Sequence, residues 1–314
     1  MSELLRMLSE DTGLSEIDLR TIIATAPNRY KTYEIDKRRG GKREISQPAR
    51  ELKVLQRAMV QRILSGLAIH SAAMAYRPGI SIRNNAAYHA GDGPILKFDF
   101  KDFFPNIQAV DWEKYCEKHS IFDHQEDVKL SSRILFRKSS RYSPVLRLAI
   151  GAPSSPMLSN ILMFEFDEYM QSYAESQKAK YTRYADDLTF SAPRTGYLNG
   201  VEKVLRQAIH KIKNPKLQLN EDKTVLATRK YKRMVTGLIL ANDGSVSLGH
   251  QRKRNMRSAV HHWLLGKLSS AEQANLAGLL AFAEDVEPSF VFALARKYGT
   301  STLKDIKKLA DIES

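Results

Sequence analysis

The 314-residue chain is 43% apolar, which is typical of a folded protein and excludes a disordered tail. Its 49 Lys and Arg exceed its 35 Asp and Glu, and the net charge of +14 predicts a polyanionic partner. One cysteine excludes a disulfide framework, and the lack of a long apolar run or a leader-like N-terminus argues against a membrane. We therefore expect a cytoplasmic protein that binds nucleic acid.

The first hundred residues alternate between helical and β-like patterns. Residues 2–26 predict two short helices, because apolar residues recur at helical spacing until a proline stops the run. Residues 28–48 predict two basic strands around a Gly-Gly turn, and residues 50–67 predict an amphipathic helix. A helix at 83–90 and a buried strand at 95–100 follow.

The remaining patterns are mixed as well. Residues 111–138 are predicted to be helical, Ser155–Ser176 to form one helix and 181–192 to form strand, tight turn and strand. The later predictions are a helix at 197–213, short strands at 216–219, 223–228 and 234–240, a hairpin turn at 242–244, and helices from 250 onward.

Charge is distributed unevenly around residues 95–192, whose order of elements predicts an antiparallel sheet backed by helices, an α+β core. Residues 28–62 carry 11 Lys and Arg against 4 Asp and Glu, and residues 223–270 carry 10 against Asp243 alone. Two basic regions around an acidic centre are expected of a cleft that holds nucleic acid.

Three carboxylates mark the acidic centre. The tetrad Tyr184–Asp187 lies between two β-like runs, and Asp99 lies in the apolar strand Ile95–Phe100. Adjacent carboxylates repel each other, and a charge in an apolar strand needs a partner, so both positions favour bound cations. If strand and hairpin are neighbours, Asp99, Asp186 and Asp187 converge on a site for two Mg²⁺ ions, which Mn²⁺ also suits. A plain turn-forming Asp pair is the alternative interpretation.

Taken in order, these segments resemble the reverse transcriptase family over about residues 28–240. The motifs that carry the resemblance are Lys42–Pro48, Phe98–Phe104, Gly151–Pro156, Tyr184–Asp187 and Leu219–Thr224. The resemblance implies an α+β right-hand polymerase, with fingers, a palm that contains an antiparallel sheet, and a helical thumb. It also implies RNA-directed DNA synthesis from deoxynucleoside triphosphates, with Asp99, Asp186 and Asp187 as catalytic metal ligands.

Charged residues in these motifs acquire roles from the resemblance. Arg43 corresponds to the fingers arginine that grips the triphosphate, with Lys37 and Arg38 as helpers. Lys223 corresponds to a catalytic lysine that can protonate the leaving pyrophosphate. The alternatives are a contact with backbone phosphate for Arg43 and an ordinary solvated side chain for Lys223.

Uncharged residues acquire roles in the same way. The Phe100 carbonyl should face the metal, and Phe104 should stack under the sugar and exclude a 2′-hydroxyl, although a core aromatic is the alternative. Gly151 and Ala152 belong to the segment that binds template and nucleotide. The family usually has Gln before that segment, whereas this chain has Ile150, which puts its nucleotide contacts and fidelity in doubt.

Two short segments narrow the resemblance to bacterial retron reverse transcriptases. Asn85–His89 resembles the NAxxH segment and Val235–Gly237 the VTG segment of that group. The resemblance implies RNA binding by Asn85 and His89, with a structural histidine as an equally good interpretation of His89. It also implies an enzyme that primes from a guanosine 2′-hydroxyl of its own non-coding RNA. The product would be branched multicopy single-stranded DNA, made for antiphage defence with an effector or toxin protein.

The basic run after the polymerase motifs predicts a further RNA contact. Arg252, Lys253 and Arg254 begin a helix with an apolar face, which we expect to follow an RNA backbone unless it is only a solvated face. The predicted organisation is a helical extension 1–27, fingers 28–95, palm 96–240 and thumb 241–314. No ribonuclease H domain fits after such a thumb, so a host ribonuclease H is expected to remove the template.

Three rival functions fit parts of the sequence. A group II intron-type reverse transcriptase normally carries a maturase region after the polymerase, and the chain ends at Ser314. A nucleotide cyclase shares the palm layout, but its Gly-Gly-acidic turn is absent from the sequence. A non-catalytic RNA-binding scaffold would not need all three aspartates.

Overall fold

A computed structural model describes residues 2–37, 40–140 and 142–308 of the chain, so Arg38 lies outside the described residues. The helices are α1 (Glu3–Thr12), α2 (Glu16–Thr25), α3 (Arg50–Arg62), α4 (Ile82–Ala90), α5 (Phe103–Asn106), α6 (Ala109–His119), α7 (Gln125–Leu135), α8 (Ser155–Leu162), α9 (Phe164–Ser176), α10 (Val201–Lys211), α11 (His250–Leu264), α12 (Ser270–Val286), α13 (Pro288–Tyr298) and α14 (Thr300–Lys308). The strands are β1 (Tyr30–Asp36), β2 (Lys42–Pro48), β3 (Ile95–Asp99), β4 (Arg137–Lys138), β5 (Leu146–Arg147), β6 (Lys180–Tyr184), β7 (Asp187–Ser191), β8 (Val225–Ala227), β9 (Met234–Val235), β10 (Leu238–Leu240) and β11 (Val246–Ser247). Helices and sheets are mixed along the chain, which confirms an α+β fold.

The chain folds into two compact units. Unit 1 contains the residues up to Gly79, Leu96–Phe190 and Gly196–Val225. Unit 2 contains Ile80–Ile95, Ser191–Thr195 and the residues from Leu226 onward. None of the helices in the described ranges is long and apolar enough to cross a membrane.

Unit 1 begins with the two predicted helices. Ser2 caps α1 by accepting from the backbone N of Leu5, and Ser15 caps α2 by accepting from that of Asp18. Gly13 ends α1 with a φ of 70°, a left-handed conformation in which glycine carries no steric cost. Leu4, Leu5 and Leu8 of α1 and Leu19 and Ile23 of α2 are buried, whereas Ile17 of α2 is exposed. The helical period of the sequence therefore predicted most of the buried positions.

The sheet that carries the site has the order β6-β7-β3-β8. β6 and β7 are joined by a two-residue turn and must therefore be antiparallel. The β1–β2 hairpin is antiparallel from Tyr30↔Pro48 to Asp36↔Lys42, as the sequence predicts. The single helix expected at Ser155–Ser176 is wrong in one respect, because the backbone leaves helical geometry at Met163 (φ −88°, ψ 1°) and separates α8 from α9.

Unit 2 packs α4 and a small sheet, order β11-β10-β9, with helices α11 to α14 around a shared apolar core. The single strand predicted at 234–240 is instead the hairpin β9–β10. Thr236 (φ 45°) and Gly237 (φ 80°) both adopt positive φ there, which makes a tight turn of the kind that hairpins favour. The predicted turn at 242–244 is confirmed by the antiparallel pairs Ile239↔Ser247 and Leu240↔Val246.

Candidate active site

The predicted meeting of one strand and one hairpin is present in unit 1. β3 ends at Asp99, β7 begins at Asp187, and the two strands are neighbours in the sheet. The backbone N of Phe100 donates to the Asp186 carbonyl at 2.9 Å, which ties the end of β3 to the turn. Ala185 completes the turn with a φ of 57°. The condition set by the sequence, that strand and hairpin lie side by side, is confirmed.

The electrostatics of the turn show that its carboxylates affect each other. Burial, followed by the carboxylates of Asp99 and Asp187, raises the pKa of Asp186 to about 6. Burial also raises the pKa of Asp187, against the opposing charge of Lys97 on β3. The folded chain therefore holds negative charge here at a cost that a bound cation would remove.

Asp99 has a protein cation beside it. It is 6% exposed, and its Oδ1 accepts from Lys223 Nζ at 2.7 Å and from Asn220 Nδ2 at 3.4 Å. The backbone N of Asn220 donates to the Asp99 carbonyl at 2.7 Å, which fixes the segment that carries Lys223. The structure thus places the predicted catalytic lysine against the predicted metal ligand.

The donor set fits a divalent cation in its chemistry. Mg²⁺ and Mn²⁺ take oxygen ligands, and three interacting carboxylates supply them. Among the residues that the structure describes, no three His, Cys, Asp or Glu side chains are already grouped to hold a metal ion. The Lys223 ammonium gives Asp99 its counter-charge in this arrangement.

A cavity of about 370 Å³ in unit 1 gathers several predicted nucleotide-binding residues. Phe104, Gly151 and Ala152 line it, together with Ile150, the residue that stands where the family usually has Gln. Gly151 has a φ of 116°, and a Cβ there would lie 3.1 Å from the Ser46 carbonyl oxygen. Only glycine therefore fits comfortably where this segment crosses β2.

The other predicted nucleotide-binding residues lie in nearby elements. Arg43 lies on the exposed part of β2, opposite Ile35 in the hairpin. The Phe100 ring is buried and stacks on Phe103, with centroids 5.8 Å apart, so only the backbone of Phe100 is a candidate for contact with a ligand. Its carbonyl contact with metal stays a prediction.

Three residues in the cavity wall had no signal in the sequence. Lys53 and Arg57 come from α3, where a spacing of four residues places them on one helix face. Tyr76 comes from the loop before α4, and its ring centroid lies 6.2 Å from that of Phe104. Burial raises the pKa of Tyr76, the Asp186 carboxylate adds to the effect, and Arg43 opposes it.

A buried ion pair contacts the turn that carries Asp186. Arg183 on β6 and Asp167 on α9 are both fully buried, and Arg183 Nη2 lies 2.6 Å from Asp167 Oδ2. Arg183 Nη1 also donates to the Ala185 carbonyl at 3.3 Å and to Asn160 Oδ1 at 3.1 Å. Sequence reasoning missed this pair because a charged residue inside a strand pattern does not indicate its partner.

The two retron-like segments lie in unit 2 and are largely internal. Asn85 and His89 are buried in α4, and His89 Nδ1 lies 2.7 Å from Ser191 Oγ. Their positions favour the structural interpretation of His89 and give no support to direct RNA contact by either residue. The Thr236 hydroxyl donates to the Ile82 carbonyl at 3.0 Å, so the second segment is a turn held against α4.

The basic run at the start of α11 divides into paired and exposed members. Arg252 Nη1 donates to the Gly237 carbonyl at 3.0 Å, and Lys253 Nζ lies 2.7 Å from Glu287 Oε1. Arg254 is exposed and donates to Gln251 Oε1 at 2.6 Å. RNA contact by the three residues stays a prediction, and Arg254 is the member most available for it.

Comparison with known proteins agrees with the geometry. The family model described as reverse transcriptase (RNA-dependent DNA polymerase) matches residues 35–252. The retron Ec83 reverse transcriptase of Escherichia coli is 35% identical over 94% of this chain and 95% of the relative. The retron Ec86 reverse transcriptase of the same organism is 33% identical over 96% and 92%.

More distant likenesses were found as well. The retron Mx65 reverse transcriptase of Myxococcus xanthus is 30% identical over 85% of this chain and 64% of the relative. Telomerase from Candida albicans, solved in complex with a TWJ fragment of telomeric RNA, superposes with a TM-score of 0.46 at 13% identity. That superposition covers 89% of this chain and 61% of the telomerase chain.

The family assignment rests on extent as well as identity. The family model covers more than half of the chain, and retron relatives align along nearly all of it, which decides against the group II intron-type alternative. Enzymes with this domain generally use divalent metal ions. The chain therefore belongs to the reverse transcriptase family, among the bacterial retron reverse transcriptases, and is an RNA-directed DNA polymerase with the right-hand polymerase fold.

Proposed function

We propose that this chain copies its own structured non-coding RNA into branched multicopy single-stranded DNA as part of antiphage defence. The observation that carries the catalytic part is the electrostatic interaction of Asp186 and Asp187 with each other and with Asp99, where β3 meets the β6–β7 turn. The biological part is supported by relatives named as retron reverse transcriptases that align over nearly all of the chain.

The chemistry assigned to the site follows from its charges. Two Mg²⁺ ions bound by Asp99, Asp186 and Asp187, or Mn²⁺ in their place, would activate the primer hydroxyl and neutralise charge on the triphosphate. Lys223 holds a proton at Nζ within the site and is suited to deliver it to the leaving pyrophosphate. Arg43 is suited to grip the triphosphate through its planar guanidinium.

The cavity that contains Phe104, Gly151 and Ala152 is proposed as the site of the incoming deoxynucleotide. Phe104 lines this cavity, where a ribose 2′-hydroxyl would meet its ring. The glycine at position 151 allows the segment to pass close to β2. An apolar Ile150 in the wall offers this nucleotide packing in place of an amide hydrogen bond.

The roles of larger segments are proposals too. We assign 1–27 to a helical extension, 28–95 to fingers, 96–240 to palm and 241–314 to thumb. Partners would be the cognate RNA and its DNA product, deoxynucleoside triphosphates, a host ribonuclease H and an effector or toxin protein, all in the cytoplasm. Of the predicted RNA-binding residues Arg252, Lys253, Arg254, Asn85 and His89, the proposal assigns contact with the RNA backbone to Arg254, which is exposed, and the other four stay predictions.

A primer-extension assay tests the catalytic proposal. The native chain should extend a DNA primer on an RNA template with Mg²⁺, and Asp186→Asn/Asp187→Asn should not. The transcript of the DNA that flanks the gene should yield a 2′-branched product. If the native chain fails on the generic template and also on that transcript, catalysis at this site is wrong and the scaffold alternative returns.

Substitution of Phe104 tests the nucleotide site separately. Phe104→Ala should lower discrimination against ribonucleotides by about tenfold to a hundredfold, because the steric block is lost. Phe292→Ala, which removes an exposed phenylalanine of unit 2, is the control and should leave discrimination unchanged. Unchanged discrimination in both variants would show that Phe104 is not the sugar contact.

A further inference from the structure

Tyr76 lies in the wall of the nucleotide cavity, although no family motif pointed to it. The residue is 44% exposed, and its ring centroid lies 6.2 Å from that of Phe104, at an interplanar angle of 52°. The two rings form a continuous apolar surface on the cavity. Aromatic faces of this kind are suited to packing against a sugar.

The backbone of Tyr76 is unusual for a bulky residue. Its φ is 60°, in the left-handed region where glycine or asparagine would be expected. Such a conformation costs free energy and persists only where the surroundings impose it. A tyrosine retained in that conformation points to a use for its side chain.

The segment before Tyr76 is fixed by the hairpin that carries the aspartates. Arg183 N donates to the Ala72 carbonyl and Met74 N donates to the Arg183 carbonyl, both at 2.8 Å. Asn160 Nδ2 donates to the Ala75 carbonyl at 2.8 Å, and the same side chain accepts from Arg183. One buried group of residues therefore sets the positions of both Tyr76 and the turn before Asp186.

Charged groups of the proposed reaction lie around the same phenol. The Asp186 carboxylate and the Arg43 guanidinium both act electrostatically on Tyr76, one from the metal site and the other from β2. Tyr76 is thus placed among the aromatic wall, the metal site and the residue proposed for the triphosphate.

We propose that Tyr76 is a further nucleotide-binding and specificity-determining residue, whose ring completes with Phe104 the surface against which the deoxyribose packs. This proposal rests on the assignment of the cavity to the incoming nucleotide. Removal of the ring should weaken nucleotide binding and loosen the steric limit at the 2′ position. Removal of the hydroxyl alone should do much less.

Steady-state primer extension with Tyr76→Ala, Tyr76→Asn and Tyr76→Phe tests the proposal. Asparagine adopts a positive φ with little strain, so Tyr76→Asn can be measured if Tyr76→Ala folds poorly. The first two variants should raise the KM for deoxynucleotide about tenfold and lower discrimination against ribonucleotides, with kcat changed less than KM. Tyr76→Phe should stay within about threefold of wild type for both quantities.

Tyr115→Ala is the matched control, because it removes another partly buried tyrosine ring that stacks on an aromatic neighbour, Trp112, outside the cavity. It should leave KM and discrimination unchanged. If Tyr76→Ala and Tyr76→Asn keep the wild-type KM and discrimination, or lower kcat alone, the proposal for Tyr76 is overturned. If Phe104→Ala is also without effect, the assignment of the cavity itself fails.

Discussion

Two carboxylates near the same hairpin, the fully buried Asp167 and the partly buried Asp186, have opposite surroundings. Asp167 accepts from Arg183 Nε at 2.8 Å and from the Tyr181 hydroxyl at 2.8 Å, so its charge is balanced inside the protein. Asp186 lies at the tip of the hairpin, and burial, followed by the neighbouring carboxylates of Asp99 and Asp187, raises its pKa to about 6. The protein neutralises the first carboxylate itself and leaves much of the charge of the second for something that it binds.

This difference distinguishes a carboxylate that stabilises the structure from one that is suited to bind a cation. A balanced buried pair fixes geometry, because moving either member would leave an unpaired charge in an apolar surrounding. A carboxylate that is crowded by other carboxylates stores a cost that a divalent cation removes on binding. Arg183 connects the two regions, since it pairs with Asp167 and also donates to the carbonyl of Ala185, the residue before Asp186.

The largest effect is expected from Asp186→Asn. DNA synthesis should fall by at least about a thousandfold because a metal ligand is lost. Metal-free stability should rise. The pKa of Asp186 is raised to about 6, so its ionised form destabilises the fold above the ordinary pKa near 4 and does so fully above pH 6. The expected gain at pH 7 is as much as about 3 kcal/mol and should fall below about 1 kcal/mol at pH 4, as measured by urea unfolding in chelator.

Asp111→Asn is the matched control for Asp186→Asn. Burial raises the pKa of Asp111 to about 6 as well, but its carboxylate accepts from the backbone N of Gln108 at the start of α6. The variant should keep DNA synthesis and show no dependence of stability on Mg²⁺ beyond that of the native chain. Loss of synthesis in Asp111→Asn, or retained synthesis in Asp186→Asn, would remove the distinction between the two kinds of carboxylate.

Next in size is the effect of breaking the balanced pair. Arg183→Met leaves Asp167 buried without its cation and should lower the free energy of unfolding by about 3–5 kcal/mol. Arg183→Met/Asp167→Leu should recover most of that stability, because apolar replacement of both partners is often neutral. DNA synthesis should stay low in the double variant, since the hydrogen bond to the Ala185 carbonyl is lost.

An exposed pair gives the comparison for that experiment. Arg206→Met removes the ion pairs of Arg206 with Glu202 and Glu221. It should lower the free energy of unfolding by less than about 1 kcal/mol and leave DNA synthesis unchanged. Urea unfolding and primer extension over a range of Mg²⁺ concentrations measure both effects. Full activity in the double variant would mean that the pair stabilises the fold without positioning the turn.

A smaller effect is expected from pH. In the proposed metal site, protons and Mg²⁺ would compete for Asp186, whose pKa of about 6 means that the carboxyl becomes protonated as the pH falls below that value. The Mg²⁺ concentration for half-maximal synthesis should rise by about threefold between pH 6.5 and 5.5, and added Mg²⁺ should restore the rate. Titrations of Mg²⁺ at pH 5.5, 6.5 and 7.5 measure this, and a half-maximal concentration that does not change would contradict it.

The sequence could predict the parts of this site that local pattern encodes. The sequence was enough to predict Asp99, Asp186 and Asp187, because a charge in an apolar strand and an Asp pair at a turn are unusual local patterns. The residues around this site could not be predicted from the sequence. Arg183 and Asp167 come together only when α9 packs on β6, and Tyr76 reaches the cavity from a loop. The hairpin at Thr236-Gly237 was missed because threonine rarely adopts positive φ and gave no turn signal.

The smallest expected effect concerns paired and exposed basic residues on α11. On α11, Lys253 is paired with Glu287, whose Oε2 also accepts from the backbone N of Leu248 at 2.9 Å, whereas Arg254 is exposed. Arg254→Ala should therefore weaken RNA binding a few-fold, whatever the RNA sequence. The slope of the logarithm of the association constant against the logarithm of the salt concentration should decrease in magnitude by about one. Lys253→Met should instead lower the stability of unit 2 and leave that slope nearly unchanged. Filter binding at several salt concentrations, with thermal unfolding alongside, separates the two, and the reverse outcome would show that pairing is no guide to which basic residues bind RNA.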